Sequence, residues 1–121
     1  MGWQEDVDAV WARSDELGDQ GVMDAMDALA AGLPEDERAQ CTLQLASSIR
    51  NLGRADEALA MMRAAEPYPP YAVAHAAMTA LALASLDRPL EGLSELLSAV
   101  APTLPRYQRS MAAYAEDLLA G

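Results

Sequence analysis

The chain contains no lysine and no phenylalanine, and it has one cysteine, one histidine, one isoleucine and one asparagine. A single thiol, Cys41, permits neither an internal disulfide nor a cysteine-based zinc site. A single imidazole, His75, restricts any histidine-based acid–base chemistry to one position. Valine and isoleucine together fill only six positions, too few for the β-branched alternation that marks strands. Basic charge is scarce as well. Eight arginines face 19 acidic side chains, for a formal net charge of −11 and a pI near 4.2. A nucleic-acid binder needs a basic face to neutralise phosphates, so nucleic acid is not an expected partner. Long hydrophobic runs are also missing. The longest weakly polar stretch, residues 71–86, is interrupted by His75, Thr79 and Ser85 and is too short to span a membrane.

What the chain does contain is alanine, at 26 of 121 positions, within a composition that is 52% hydrophobic and 22% charged. That balance is globular rather than disordered, and the length suits one domain spanning residues 1–121. Arginine without lysine, together with abundant alanine, fits codons from a GC-rich bacterial genome. The opening residues carry no positive charge and turn acidic at Glu5 and Asp6, unlike a secretory signal, and a cytoplasmic location is expected.

Helix breakers punctuate the chain at regular intervals: Gly18 and Gly21, Gly32 with Pro34, Gly53, the prolines at 67, 69 and 70, Asp87 with Pro89, and finally Pro102 and Pro105. The 10- to 20-residue intervals between them are rich in alanine, leucine, methionine and charge, all good helix formers. The expectation is an all-α fold of seven helices. Pro34 opens the third, and Glu35, Asp36 and Glu37 complement its positive end. Gly53 ends that helix where a left-handed backbone is usually required. Pro89 and Pro105 are each expected in a first helical turn, where the missing N–H is not needed. Short connections imply antiparallel hairpins.

Two segments superpose at a shift of 34 residues. Leu45, Gly53, Arg54, Glu57, Ala58, Leu59, Met62 and Ala65 pair with Thr79, Asp87, Arg88, Glu91, Gly92, Leu93, Leu96 and Ala99. A helix–turn–helix period of 34 residues is the signature of the tetratricopeptide repeat, and the chain resembles that family. Leu45, Ala46 and Ile49 take the large, small and large positions of the first helix. Ala58 takes the small crossing point of the second helix, and Pro70 the closing proline. The resemblance implies a TPR-like α-solenoid of three helical hairpins and a C-terminal capping helix. Residues 5–33 form a degenerate hairpin, 39–72 the best-matching repeat, 73–104 a second repeat and 105–119 the cap. Gly92 replaces the expected alanine, and Asp87 the turn glycine.

The run Gly32-Leu-Pro34, the segment from Leu43 to Arg54 and the closing stretch from Tyr107 to Leu118 are similar to a family of small bacterial tetratricopeptide-repeat proteins. Ala46 departs from the glycine these proteins often have. The resemblance implies a helical-repeat scaffold and carries no reaction.

Catalytic residues, cofactors and metal ligands are not expected. No carboxylate lies within four residues of His75, which reads as a partly buried structural histidine. Cys41 and His75 are 34 residues apart, at equivalent positions of successive repeats, which could bring them near each other without making them catalytic. Asp24 with Asp27, and Glu35 with Asp36, lack the spacing of a cation site. The methionines read as gap-filling core or interface residues.

The resemblance implies that the first helix of each repeat lines a concave groove. In the central repeat that register places Gln40, Leu43, Ser47, Arg50 and Asn51 there, with Ala77 and Leu81 in the next repeat. A planar guanidinium beside hydroxyl and amide donors suits a peptide carboxylate or an acidic side chain. The alternative is structural, with Arg50 paired to an acid on a neighbouring helix. In the last helix, Tyr107, Met111, Tyr114 and Leu118 form a stripe expected to pack on the hairpin before it. The acids concentrate early, with 11 of the 19 in residues 1–40. The expected function is a non-catalytic protein–protein interaction module or scaffold that binds a protein or peptide segment in the groove. Two alternatives remain open. One is a homodimer formed through alanine-rich faces and exposed Trp3 and Trp11; the other is a small helical enzyme using His75.

Overall fold

A computed structural model describes residues 2–120; Met1 and Gly121 lie outside the described residues. Seven α-helices occur, with no strand among the described residues: α1 (Trp3–Ala12), α2 (Ser14–Ala31), α3 (Glu35–Asn51), α4 (Ala55–Ala64), α5 (Ala72–Ser85), α6 (Pro89–Val100) and α7 (Gln108–Ala120). Short 3-10 turns at Pro69–Tyr71 and Ala101–Thr103 precede α5 and follow α6. The fold is an all-α, TPR-like helical repeat. Its chain forms two compact units, Met1–Leu45 and Ala46–Gly121.

In the first unit α1 packs against α2. Their buried residues are Trp3 and Val7 on α1, and Val22 and Met26 on α2. Each pair is spaced four residues apart, so it forms one helical stripe. Carboxylates fill the first turn of each helix: Glu5 and Asp6, Asp15 and Glu16, then Glu35, Asp36 and Glu37 of α3. There they complement the exposed N–H groups and the dipole. Gly18 interrupts α2 with φ 70° and ψ 171°, a conformation that suits glycine, and so marks the bend foreseen at that position. Trp3 is buried and Trp11 half-buried, which corrects the expectation of exposed tryptophans. Indoles are large, and the helix stripe buries the one that falls on its inner side.

The second unit repeats one local device. Gly53 has φ 82° and Asp87 has φ 64°, the two residues lying 34 apart. After the first, the Arg54 N–H donates to the Ile49 carbonyl at 3.2 Å; after the second, the Arg88 N–H donates to Leu83 at 2.9 Å. These are the long closing bonds of a Schellman turn. In both cases the arginine then pairs with the glutamate three residues on, Arg54 with Glu57 and Arg88 with Glu91. Asparagine and aspartate tolerate the left-handed region better than other side chains, which is why Asp87 serves where Gly53 does.

From these turns α4 packs on α5, α5 on α6, and α6 on α7. The buried residues of this unit include Ala46, Ile49, Ala58, Met62, Ala82 and Leu83. At the α5–α6 crossing, a Cβ on Gly92 would lie 2.8 Å from the Ala80 carbonyl oxygen and 3.0 Å from its Cα. Glycine replaces the alanine of the repeat pattern because the two backbones meet there. The buried Ser94 hydroxyl donates to the Ala115 carbonyl at 2.7 Å and ties α6 to α7.

The last helix differs from expectation. It begins at Gln108 rather than in the turn opened by Pro105, and Tyr107 sits just outside it with φ 72°. Its buried residue is Ala115, while Tyr107 and Tyr114 of the aromatic stripe are exposed. A small residue lets α7 approach α6 closely, leaving the two rings outside.

Gly92→Ala tests the crossing. Propensity alone would favour alanine by about 1 kcal/mol. The clash with backbone atoms should instead destabilise the protein by about 1–3 kcal/mol, read as a lower urea midpoint. A midpoint equal to or above that of the parent would show that α5 and α6 are not so close.

Candidate functional site

The site begins with the sequence of α5, Ala72–Ser85, which contains no charged side chain and whose polar residues are His75, Thr79 and Ser85. Thr79 is buried, and its hydroxyl donates back to the His75 carbonyl at 2.9 Å. Ala82 and Leu83 point into the core, so one helical face packs inward. The other face carries Ala74, Ala77, Leu81 and Ala84; Leu81 keeps 45% of its surface exposed, Ala74 and Ala84 are exposed and Ala77 is half-buried. These four recur at spacings of three, four and three, a continuous apolar stripe.

Arg50, in the last turn of α3, is the cation at this face. Its Nε donates to the Leu81 carbonyl at 3.2 Å and to the Ser85 hydroxyl at 2.9 Å. The guanidinium is thereby fixed over the end of α5, where a positive charge also meets the negative end of the helix dipole. The structural alternative foreseen for Arg50 was an acid; a carbonyl and a hydroxyl take that place.

The structure therefore brings together Arg50 and Leu81, with Ala77 one turn earlier on the same helix. Asn51 is exposed and Ser47 half-buried, both on the part of α3 that belongs to the second unit. Gln40 and Leu43 belong to the first unit. There the Gln40 amide donates to the Asp36 carboxylate at 2.8 Å, and Leu43 is half-buried. Ser85, the partner of Arg50, lies one repeat and one residue further along the chain. That register is the signal in the sequence, and the preference for Ser85 over an acid depends on how the end of α3 meets α5.

His75, on the far side of α5, is half-buried with Nε2 3.0 Å from the Met62 carbonyl oxygen. A carbonyl can only accept, so the imidazole donates, and it joins the first turn of α5 to the last turn of α4. This is a structural use of the residue. In the first unit, Cys41 is buried, and its thiol pKa is raised, first by burial and second by the Asp27 charge. No group of three or more histidine, cysteine or acidic side chains among the described residues is arranged to hold a metal ion.

A family model described as tetratrico peptide repeat matches residues 12–118. The chain belongs to the tetratrico peptide repeat family. The match includes both Schellman turns, the Gly92 crossing and the whole apolar face of α5. Searches among curated proteins and among solved structures matched nothing. Tetratrico peptide repeats are protein–protein interaction scaffolds and typically non-enzymatic. No helix among the described residues is long and apolar enough to cross a membrane.

The raised Cys41 pKa predicts low thiol reactivity. In the native tetratrico peptide repeat a disulfide reagent at pH 8 should label Cys41 far more slowly than in denaturant, because the thiolate is the nucleophile. A folded-state pKa above the unfolded value favours folding at low pH, and that contribution is lost as pH rises past the ordinary value of 9.0. Rapid native labelling would contradict the burial.

Proposed function

We propose that the protein is a non-catalytic interaction module that docks a partner segment on the exposed face of α5. The carrying observation is the pairing of an uncharged apolar stripe with a single fixed guanidinium. Leu81 and Ala77 supply the apolar contact, and Arg50 supplies donors to an acidic side chain or a carboxylate, with Asn51 and Ser47 on the adjoining turns of α3 as further polar contacts. A segment that suits this face is an amphipathic helix with an acid near one end. Gln40 and Leu43, which the repeat register also assigns to partner binding, lie on the earlier turns of α3 in the first unit and are proposed there as positions for a partner to contact.

Self-association is the second reading, and one observation favours it. The large exposed apolar residues Leu52, Leu81, Leu90, Leu93, Tyr107, Tyr114 and Leu119 all belong to the second unit. Apolar surface concentrated in this way marks contact sites, and a symmetric dimer could use it. Light scattering separates the two: a groove-binding module is monomeric until its partner is added.

Arg50→Ala removes hydrogen bonds that are exposed, so it should cost no more than about 1 kcal/mol of stability. Capture of a partner from lysate by the tagged protein should fall by about tenfold, the effect of losing one charge-assisted contact. Leu81→Asp should act in the same direction. Partner recovery unchanged in both variants would remove the α5 face from the function.

A further inference from the structure

Behind α5, α4 and α6 join it in forming a cleft of ≈ 380 Å³ whose lining includes Ala65, Pro67, Ala72, His75, Ala76 and Glu95. Ala72 and Leu81 are nine residues apart, half a turn in projection at about 100° per residue, so the cleft opens on the side of α5 opposite the apolar face. We propose that this cleft accepts a lysine side chain from a basic partner segment, a second contact distinct from the proposed use of Arg50.

The walls are alanine methyl groups and a proline ring, which suit a four-carbon aliphatic stem. The polar groups around them call for a donor. Glu95 pairs with Arg63 through Oε1 across the cleft, and a carboxylate has acceptor positions beyond the one that this pair uses. His75 donates from Nε2 to Met62, so in the neutral ring Nδ1 is an acceptor. The last turn of α4, with its negative dipole end, borders the same space through Met62, Arg63 and Ala65. Arg63, the cation of the lining, is paired with Glu95, so the incoming ammonium shares that carboxylate with it. The second unit, which holds the cleft, carries 8 acids against 6 arginines in residues 46–121, a modest negative balance that favours cationic segments. The first turn of α5 also borders the cleft and favours anions, so an anion of equal length is the proper control.

The chain has no lysine and one histidine, so the experiment reads a single reporter. N-acetyl-lysine N-methylamide is titrated into the full chain while the His75 imidazole Cε1–H signal is followed by NMR. The expected result is a saturable shift that is about tenfold weaker in Glu95→Gln and lost in Ala99→Leu; Ala99 also lines the cleft, so leucine there fills it while keeping the Arg63–Glu95 pair. The Nε-acetylated derivative, with the same stem and no charge, should give no saturable shift, and neither should hexanoate. Four results would overturn the proposal: no saturable shift, an equal response to the acetylated derivative, a saturable response to hexanoate, or wild-type binding by Ala99→Leu with helical content preserved.

Discussion

Two helix backbones cannot approach within van der Waals contact unless one of them gives up its side chain at the crossing, and in this protein Gly92 does so against Ala80. That contact sets the spacing of α5 and α6, and the left-handed Asp87 turn sets their direction. With both fixed, Ala82 and Leu83 must turn inward and Ala74, Leu81 and Ala84 outward. The exposed stripe is thus a consequence of how the hairpin closes. The hydroxyl of Ser94 then positions α7 on α6 through Ala115.

The proposed function draws on what this packing leaves exposed. The exposed face of α5 carries no charge, whereas the acids concentrate in residues 1–40. Arg50 has its Nε tied to Leu81 and Ser85, an arrangement that holds its planar group at a defined place instead of letting it sweep through solvent. A held donor beside an apolar stripe is what the proposed docking relies on, in a chain that belongs to a family of interaction scaffolds. His75 and Cys41, the two residues with intrinsic chemical reactivity, are respectively tied to a carbonyl and buried as a thiol.

Much of the fold was legible because its determinants are local. Gly18 and Gly53 mark a bend and a turn because both adopt positive φ, a backbone preference that the residue type itself carries. The 34-residue shift identified Asp87 as the equivalent of Gly53 before any backbone angle was known. The start of α7 was misplaced because proline suits both a first helical turn and the loop before it, and the loop prevailed at Pro105. The aromatic stripe of α7 misled for a different reason: periodicity reveals a face, but the size of the residue at the contact decides which part of that face is covered, and Ala115 fits closer than Tyr114. The Arg50 partners and the His75 cleft depend on three helices meeting, which spacing along one helix does not encode.

The central claim is that the α5 face is open. Methyl NMR with a soluble paramagnetic chelate tests it directly, since relaxation enhancement reports solvent access residue by residue. In dilute protein the Leu81 methyl signals should broaden strongly, together with those of Leu90 and Leu93, while Leu83 two residues from Leu81 stays sharp. Leu81 signals as protected as those of Leu83 would mean that the face is covered by α7 or by a second copy, and would contradict an open docking surface.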